Sequence, residues 1–231
     1  MLDESKLPAA LAEPALNALC ELLSGFQFSE QRDNYLKECF DNLVHNVSVP
    51  QSLSLAMEII NNYQDYRTSS RHETREKVIM RHNEMHGLVQ AVIDNITLFV
   101  TKVKGTYAGA VPENVHKIPV EGSKYSYEVN IQKRLDFLAY ITLSTNFALE
   151  LTVDEIHHLW AIFVKDTLHP RDSDIFYSWL SKKYIKVSQR PYLLRPQVME
   201  EVFEQFLCNP EKFDYFNIGL SALDCFVKFF K

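Results

Sequence analysis

LVQAVIDNITLFVTKV, residues 88–103, decides the fold class. Leu88, Val89, Val92, Ile93, Ile96, Phe99, Val100 and Val103 recur at the three-and-four spacing of a helix, without the strict alternation of a strand. The same period continues outward in both directions. Upstream, Ser69 to His86 is strongly charged (Arg71, Glu73, Arg75, Glu76, Lys77, Arg81), with Val78 and Ile79 almost its only aliphatic anchors. It reads as a mostly solvated helix, and Gly87 breaks it from the apolar one. Before that, Ser48-Val49-Pro50-Gln51 has the S-x-x-Q form of a capping box, with proline in the first turn, where its missing N–H costs nothing. The helix it opens carries Leu53, Leu55, Ala56, Ile59 and Ile60. Ser29 is an N-cap candidate for a helix with Tyr35, Leu36, Cys39, Phe40, Leu43 and Val44, and Leu16, Leu19, Leu22 and Leu23 form an earlier one stopped by Gly25.

Downstream, residues 105–126 lose the period. Three of the six glycines (Gly105, Gly109, Gly122) and two prolines (Pro112, Pro119) fall there. A loop of about 20 residues is long for a compact domain, so it marks an internal boundary, with a short extended piece around Ile118–Val120. Helices resume near Tyr127 with Ile131, Leu135, Phe137, Leu138 and Ile141. Thr152-Val153-Asp154-Glu155 is a T-x-x-E capping box before Ile156, Leu159, Trp160 and Phe163. His169-Pro170 ends that helix. Asp172 and Asp174 supply acids to the start of the next, which carries Ile175, Phe176, Trp179, Leu180 and Tyr184. Pro196 opens another with Val198, Val202 and Phe206, and Ile218 to Phe230 closes the chain. The expected fold is all-α. Its helix pairs of about 35–45 residues suit an α-solenoid of armadillo or HEAT type, with an irregular bundle as the alternative. The expected division is 1–105, a loop at 106–126, and 127–231, the two helical segments forming one solenoid. The apolar pattern runs to Phe229-Phe230-Lys231 without a cap, as expected of a segment of a longer chain.

Composition narrows the function. The 231 residues carry 24 Lys+Arg against 30 Asp+Glu, a formal charge of −6, with 46% hydrophobic and 12% aromatic residues. That is too apolar for disorder and offers no positive field to collect phosphates, so no nucleic-acid partner is expected. Six scattered glycines form no phosphate cradle. No apolar run reaches the roughly 18 residues of a membrane span, and Met1 to Lys6 lacks the form of a signal peptide. A cytoplasmic or nuclear location and no membrane partner follow as expectations. Cys20, Cys39, Cys208 and Cys225 are far apart and read as buried free thiols. The sequons at Asn46 and Asn95 read as chance.

Candidate chemistry is thin. His82 and His86 sit at i, i+4. A zincin needs its glutamate directly after the first histidine, whereas Glu84 lies two on, about 200° round the helix. Both histidines read as residues of a solvated helix. His157 and His158 point about 100° apart and cannot chelate together. With His169 they read as structural. Cys20 and Cys39 sit mid-helix among apolar residues, where a thiolate is costly. Trp160, Phe163, Phe176, Tyr177 and Trp179 read as core, with a peptide groove as the alternative. Lys182, Lys183 and Lys186 read as a solvated basic face. No catalytic, cofactor-binding or metal-ligating residue is assigned.

Gln132-Lys133-Arg134-Leu135-Asp136-Phe137-Leu138 resembles the x-x-R-L-x-F-L helix of the non-catalytic region of the very large ubiquitin-specific proteases, the fat-facets-like deubiquitinases. Leu151 to Trp160, Asp172 to Leu180 and Asn217 to Phe226 resemble further segments of that family in the same order, and Val49 to Leu53 resembles one upstream. The resemblance implies an armadillo-like helical platform beside a cysteine protease. It implies no catalytic residue here, because neither the family's cysteine box nor its histidine box is present. The expected role is a protein-interaction scaffold for ubiquitinated substrates or adaptors, without cofactor. A helical adaptor of a transport complex, and an enzyme in its own right, are the competing readings.

Overall fold

The computed structural model describes residues 29–61, 74–107, 110–121, 123–146 and 148–185, with isolated helical positions at 14–15, 17–18, 198, 200 and 204. The expected helix through Leu16–Leu23, most of that from Pro196, the terminal segment from Ile218, and Cys20, Cys208 and Cys225 lie outside the described residues. The described elements are α1 (Ser29–Val44), α2 (Val49–Asn61), α3 (Arg75–His86), α4 (Leu88–Thr106), a 3-10 turn (Val115–Lys117), α5 (Tyr127–Ser144), α6 (Val153–Trp160) and α7 (Pro170–Trp179). Five-residue and six-residue π-helical turns, Ala161–Lys165 and Leu180–Ile185, continue α6 and α7. The protein is all-helical, as its periodicity requires. Among the described residues the only strand-like pairing is an isolated antiparallel bridge between Pro119 and Ser126. None of their helices is long and apolar enough to cross a membrane.

The chain packs as two compact units. The first comprises residues 1–106 and 112–149, the second 107–111 and 150–231. By packing, then, α5 and its flanks belong with α1–α4.

In the first unit, α1 buries Leu36, Cys39, Phe40 and Leu43. Val44, expected on that face, is 59% exposed, because it is turned about 100° from Leu43. Helix α2 starts where expected but not by a capping box. Ser48 has φ 45°, not the extended conformation of an N-cap, and Gln51 Oε1 is buried without a hydrogen bond. Helix α3 starts at Thr74, whose hydroxyl accepts from the Lys77 N–H at 3.3 Å. It ends at Gly87, whose left-handed backbone (φ 57°, ψ 50°) lets its N–H reach Asn83 O at 2.7 Å. Helix α4 follows immediately, burying the apolar stripe from Leu88 to Val103.

The segment after α4 is ordered around 112–121. Val120 donates to Tyr125 O and Tyr127 to Ile118 O, each at 3.3 Å, which closes the expected extended piece on itself. Ser126 then caps α5 by accepting from Val129 N–H at 3.4 Å.

In the second unit the T-x-x-E box forms as read. Thr152 N–H donates to Glu155 Oε2 at 2.6 Å, and Glu155 N–H to Thr152 Oγ1 at 3.2 Å. Asp166 N–H reaches Ala161 O at 2.8 Å, an i to i+5 bond that widens the helix end. His169 is the N-cap of α7, with Pro170 in its first turn. The core is aromatic. Phe163 and Phe176 stack at 5.7 Å, Trp179 and Tyr184 at 5.4 Å, and Trp160 Nε1 donates to Tyr177 Oη at 3.2 Å.

Candidate functional site

The chemically richest place is inside the first unit. Helical period sets Arg134 on the same side of α5 as Asn130, Ile131 and Phe137, so it turns inward. It is 2% exposed and is the largest fully buried side chain among the described residues. A guanidinium in that position is costly unless its donors are matched. Its Nε donates to Asn95 Oδ1 at 2.7 Å. One terminal nitrogen donates to Asn130 O at 2.8 Å and to Asn130 Oδ1 at 3.0 Å. Its carbon lies 4.3 Å from the Phe99 ring centroid, a cation–π contact strengthened by the dry surroundings.

Both asparagines pass the link on. Asn95 Nδ2 donates to Leu43 O at 2.8 Å and Asn46 Oδ1 at 3.2 Å, at the end of α1. Asn130 Nδ2 donates to Tyr125 O and Ser126 O, both at 3.0 Å, and to Ser123 Oγ at 3.2 Å. One side chain thus joins the α1–α2 corner, α4, α5 and the closing turn. Arginine keeps its proton at any physiological pH, so this cluster performs no acid–base chemistry. It is a fixed cationic clamp. Asn95 is buried and fully engaged in it, which leaves the sequon there no room for a glycan.

The other candidates fall into place around the clamp or apart from it. His82 is 2% exposed, so the expectation that it belongs to a solvated helix face is corrected. Only α3's outer residues, such as Lys77, Glu84 and Met85, are exposed, while Val78, Ile79 and His82 face inward. The His82 and His86 rings stack at 5.8 Å, and both meet Phe40. No group of three or more His, Cys, Asp or Glu among the described residues could hold a metal. Cys39 is a buried thiol that forms no disulfide.

Tyr140 Oη donates to Asn61 Oδ1 at 2.9 Å. Burial pushes its phenol up to about 12, against the lowering influence of Arg75 above its ring, so it is a proton donor in its hydrogen bond rather than a base.

In the second unit, His158 is exposed, His157 packs on the Trp160 ring at 5.0 Å, and His169 Nδ1 accepts from Arg171 N–H at 3.2 Å. The three histidines do not converge. Trp160, Phe163, Phe176, Tyr177 and Trp179 are all buried, so they form core and not a groove. Lys183 is exposed, the Lys182 side chain and Lys186 lying outside the described residues. Sequence reading placed Asp172 among the acids at the start of α7, as found, but did not foresee its burial or its capping role. It is fully buried, and its Oδ2 accepts from Leu168 N–H at 3.0 Å, Thr167 Oγ1 at 3.1 Å and His169 N–H at 3.2 Å. Its signal was its place three residues after the cap, the acidic position of a capping box.

Comparison with known proteins gives a consistent picture. The whole chain, residues 1–231, matches the family described as UBP24/USP9X/USP9Y ARM repeat. It is 25% identical over 224 residues to the ubiquitin carboxyl-terminal hydrolase puf of Drosophila melanogaster, covering 95% of this chain and 6% of that protein. Human ubiquitin carboxyl-terminal hydrolase 9Y is 22% identical over 243 residues, covering 100% of this chain and 9% of that protein. Human ubiquitin carboxyl-terminal hydrolase 34 is 25% identical over 167 residues, 71% of this chain and 4% of that protein. The chain therefore spans under a tenth of each of these relatives. No solved structure matches it.

Proposed function

This chain belongs to the UBP24/USP9X/USP9Y ARM repeat family, and from that premise we propose that it is a non-catalytic protein-interaction segment of a large deubiquitinating enzyme. It holds ubiquitinated substrates or adaptors for a protease domain elsewhere in the parent protein, in the cytoplasm or nucleus. One observation carries the reading: a repeat family accounts for all of residues 1–231, while relatives named as ubiquitin carboxyl-terminal hydrolases extend more than tenfold beyond the matched part. The described side chains support it. Arg134, Asn95, Asn130, Asp172 and Cys39, the residues with the most chemistry to offer, are buried in packing and hydrogen bonding. Stacked helical repeats of this family's kind recognise partners over extended surface rather than in an enclosed pocket.

Two measurements test it. Deleting the segment from the parent enzyme is expected to leave kcat/KM on a small fluorogenic ubiquitin substrate within about twofold, while turnover of a ubiquitinated protein substrate falls about tenfold or more as local concentration is lost. Equal losses on both substrates would refute a docking role. The isolated chain is expected neither to turn over the fluorogenic substrate nor to react with a thiol-reactive ubiquitin probe, and labelling of any of its four cysteines would make it an enzyme after all.

A further inference from the structure

We propose that residues 112–121 form the surface by which this segment binds a folded protein partner, with Glu113, Lys117 and Glu121 as its contacts. This deepens the docking reading above and rests on it. The stretch interrupts the helical array between α4 and α5. Only Val115 and His116 of its residues are buried, so it adds little to the core. Yet it is fixed. Val115 N–H donates to Pro112 O at 3.0 Å, Lys117 N–H to Asn114 O at 2.9 Å and Ile118 N–H to Val115 O at 3.3 Å. The bridge between Pro119 and Ser126 closes its base. From beneath, His116 packs on the Tyr127 ring at 5.5 Å, and Tyr127 stacks at 5.7 Å on Phe99, the ring that receives Arg134. Asn130 ties down the return through Ser123, Tyr125 and Ser126. The buried clamp therefore ends in a support for this stretch.

Outward, the stretch offers charge. Glu113, Asn114, Lys117, Pro119 and Glu121 are exposed. Glu113, Lys117 and Glu121 form no ion pair among the described residues, so their charges are not used inside the unit. A loop held in one shape before binding loses little entropy on association. Loops positioned by a rigid scaffold are where proteins carry recognition. Pro119, which has no N–H, stands at the bridged position and disfavours strand addition there, so side chains make the contact. The alternation of sign sets the partner's chemistry: basic groups opposite Glu113 and Glu121, and a carboxylate opposite Lys117. Complementary charge of this kind fixes register and speeds encounter.

The parent enzyme tests this, on a ubiquitinated protein whose turnover falls when residues 1–231 are deleted. Reversing the three charges (Glu113→Lys, Lys117→Glu, Glu121→Lys) is expected to lower kcat/KM on that substrate by about fivefold or more, and to leave the small fluorogenic ubiquitin substrate within about twofold. Exchange protection in α5 is expected to match the natural chain. The control reverses two exposed charges of α4, Asp94→Lys with Lys102→Glu, and is expected to stay within about twofold on both substrates. Unchanged turnover in the triple variant, where deletion still lowers it, overturns the surface and leaves the docking reading standing. An equal loss in the control overturns the surface as well. Deletion without effect on protein substrates removes the docking reading, and this one with it. If the triple variant loses protection in α5, the uncharged set Glu113→Gln, Lys117→Gln and Glu121→Gln decides by the same criteria.

Discussion

The two units solve burial in opposite ways. The first sets a buried guanidinium and two buried amides among aliphatic helices and satisfies them with a continuous hydrogen-bond network. The second fills its centre with rings, keeping its strongest polar contacts at helix starts, where Glu155 and Asp172 each close a capping box. The first arrangement specifies one packing, because moving any member strands a buried donor. The second depends on area and shape, and two widened helix ends accommodate it. Both tryptophans, Trp160 and Trp179, lie in the second unit, so their fluorescence reports that unit. Hydrogen exchange on α1–α5 reports the first.

Breaking the clamp should have the largest effect. Arg134→Ala opens a cavity and leaves Asn95 Oδ1 and Asn130 Oδ1 buried without their donor. Removing one partner of a buried charged network costs about 3–5 kcal/mol. The loss is expected as collapsed exchange protection in α4 and α5, with the tryptophan transition retained. A ΔΔG under about 1 kcal/mol would mean that the network is not a structural centre. Its counterpart in the second unit is Phe176→Ala, which removes a ring shared by Phe163, Tyr177 and Trp179. Truncating a buried phenylalanine costs about 3–5 kcal/mol, at the lower end where neighbouring rings can relax. Here the tryptophan denaturation midpoint should shift while protection in α4 and α5 holds.

A smaller test falls on the single-residue joint between α3 and α4. A Cβ on Gly87 would meet nothing within 4 Å, so space does not forbid a side chain there. The backbone does, because φ is 57°. Gly87→Ala is expected to destabilise the first unit by about 1–2 kcal/mol through left-handed strain alone. Gly87→Asn, whose side chain tolerates that region, should lose less. Denaturation followed by exchange in α3 and α4 distinguishes them.

Most of the helical framework was readable because hydrophobic period and breakers agree. Gly87 stops α3, and Thr152 with Glu155 starts α6, each by a local rule that tertiary packing had no reason to override. The clamp was not readable. Arg134 appears as one cation in a charged-looking helix start, and its partners Asn95 and Asn130 are 39 and 4 residues away. Only the fold brings Asn95 to it. His82 misled for a related reason. A charged segment looks solvated as a whole, whereas α3 turns one narrow side to Phe40 and buries whatever stands there. The division of the chain was likewise decided by packing rather than composition: residues 105–126 hold three of the six glycines, yet α5 beyond them packs with α1–α4.

The finest contrast lies between two stretches with the same capping signature. In both, the third helical residue should reach back to the cap. Glu155 does so, accepting from the N–H and the hydroxyl of Thr152 at 2.6 and 2.9 Å. Gln51 does not. Its Oε1 is buried with no hydrogen bond, and Ser48 ahead of it has turned into the left-handed region. Substitution by leucine at the two positions should therefore act oppositely. Glu155→Leu removes a working cap and is expected to lower the stability of the second unit by about 1 kcal/mol, read from tryptophan fluorescence. Gln51→Leu replaces a buried, unmatched acceptor with an apolar group of similar size. It should be neutral or should stabilise the first unit by up to about 1 kcal/mol, read from exchange in α2. A loss at Gln51 as large as that at Glu155 would show that the S-x-x-Q signature is a functioning cap in solution, and the difference between the two helix starts would disappear.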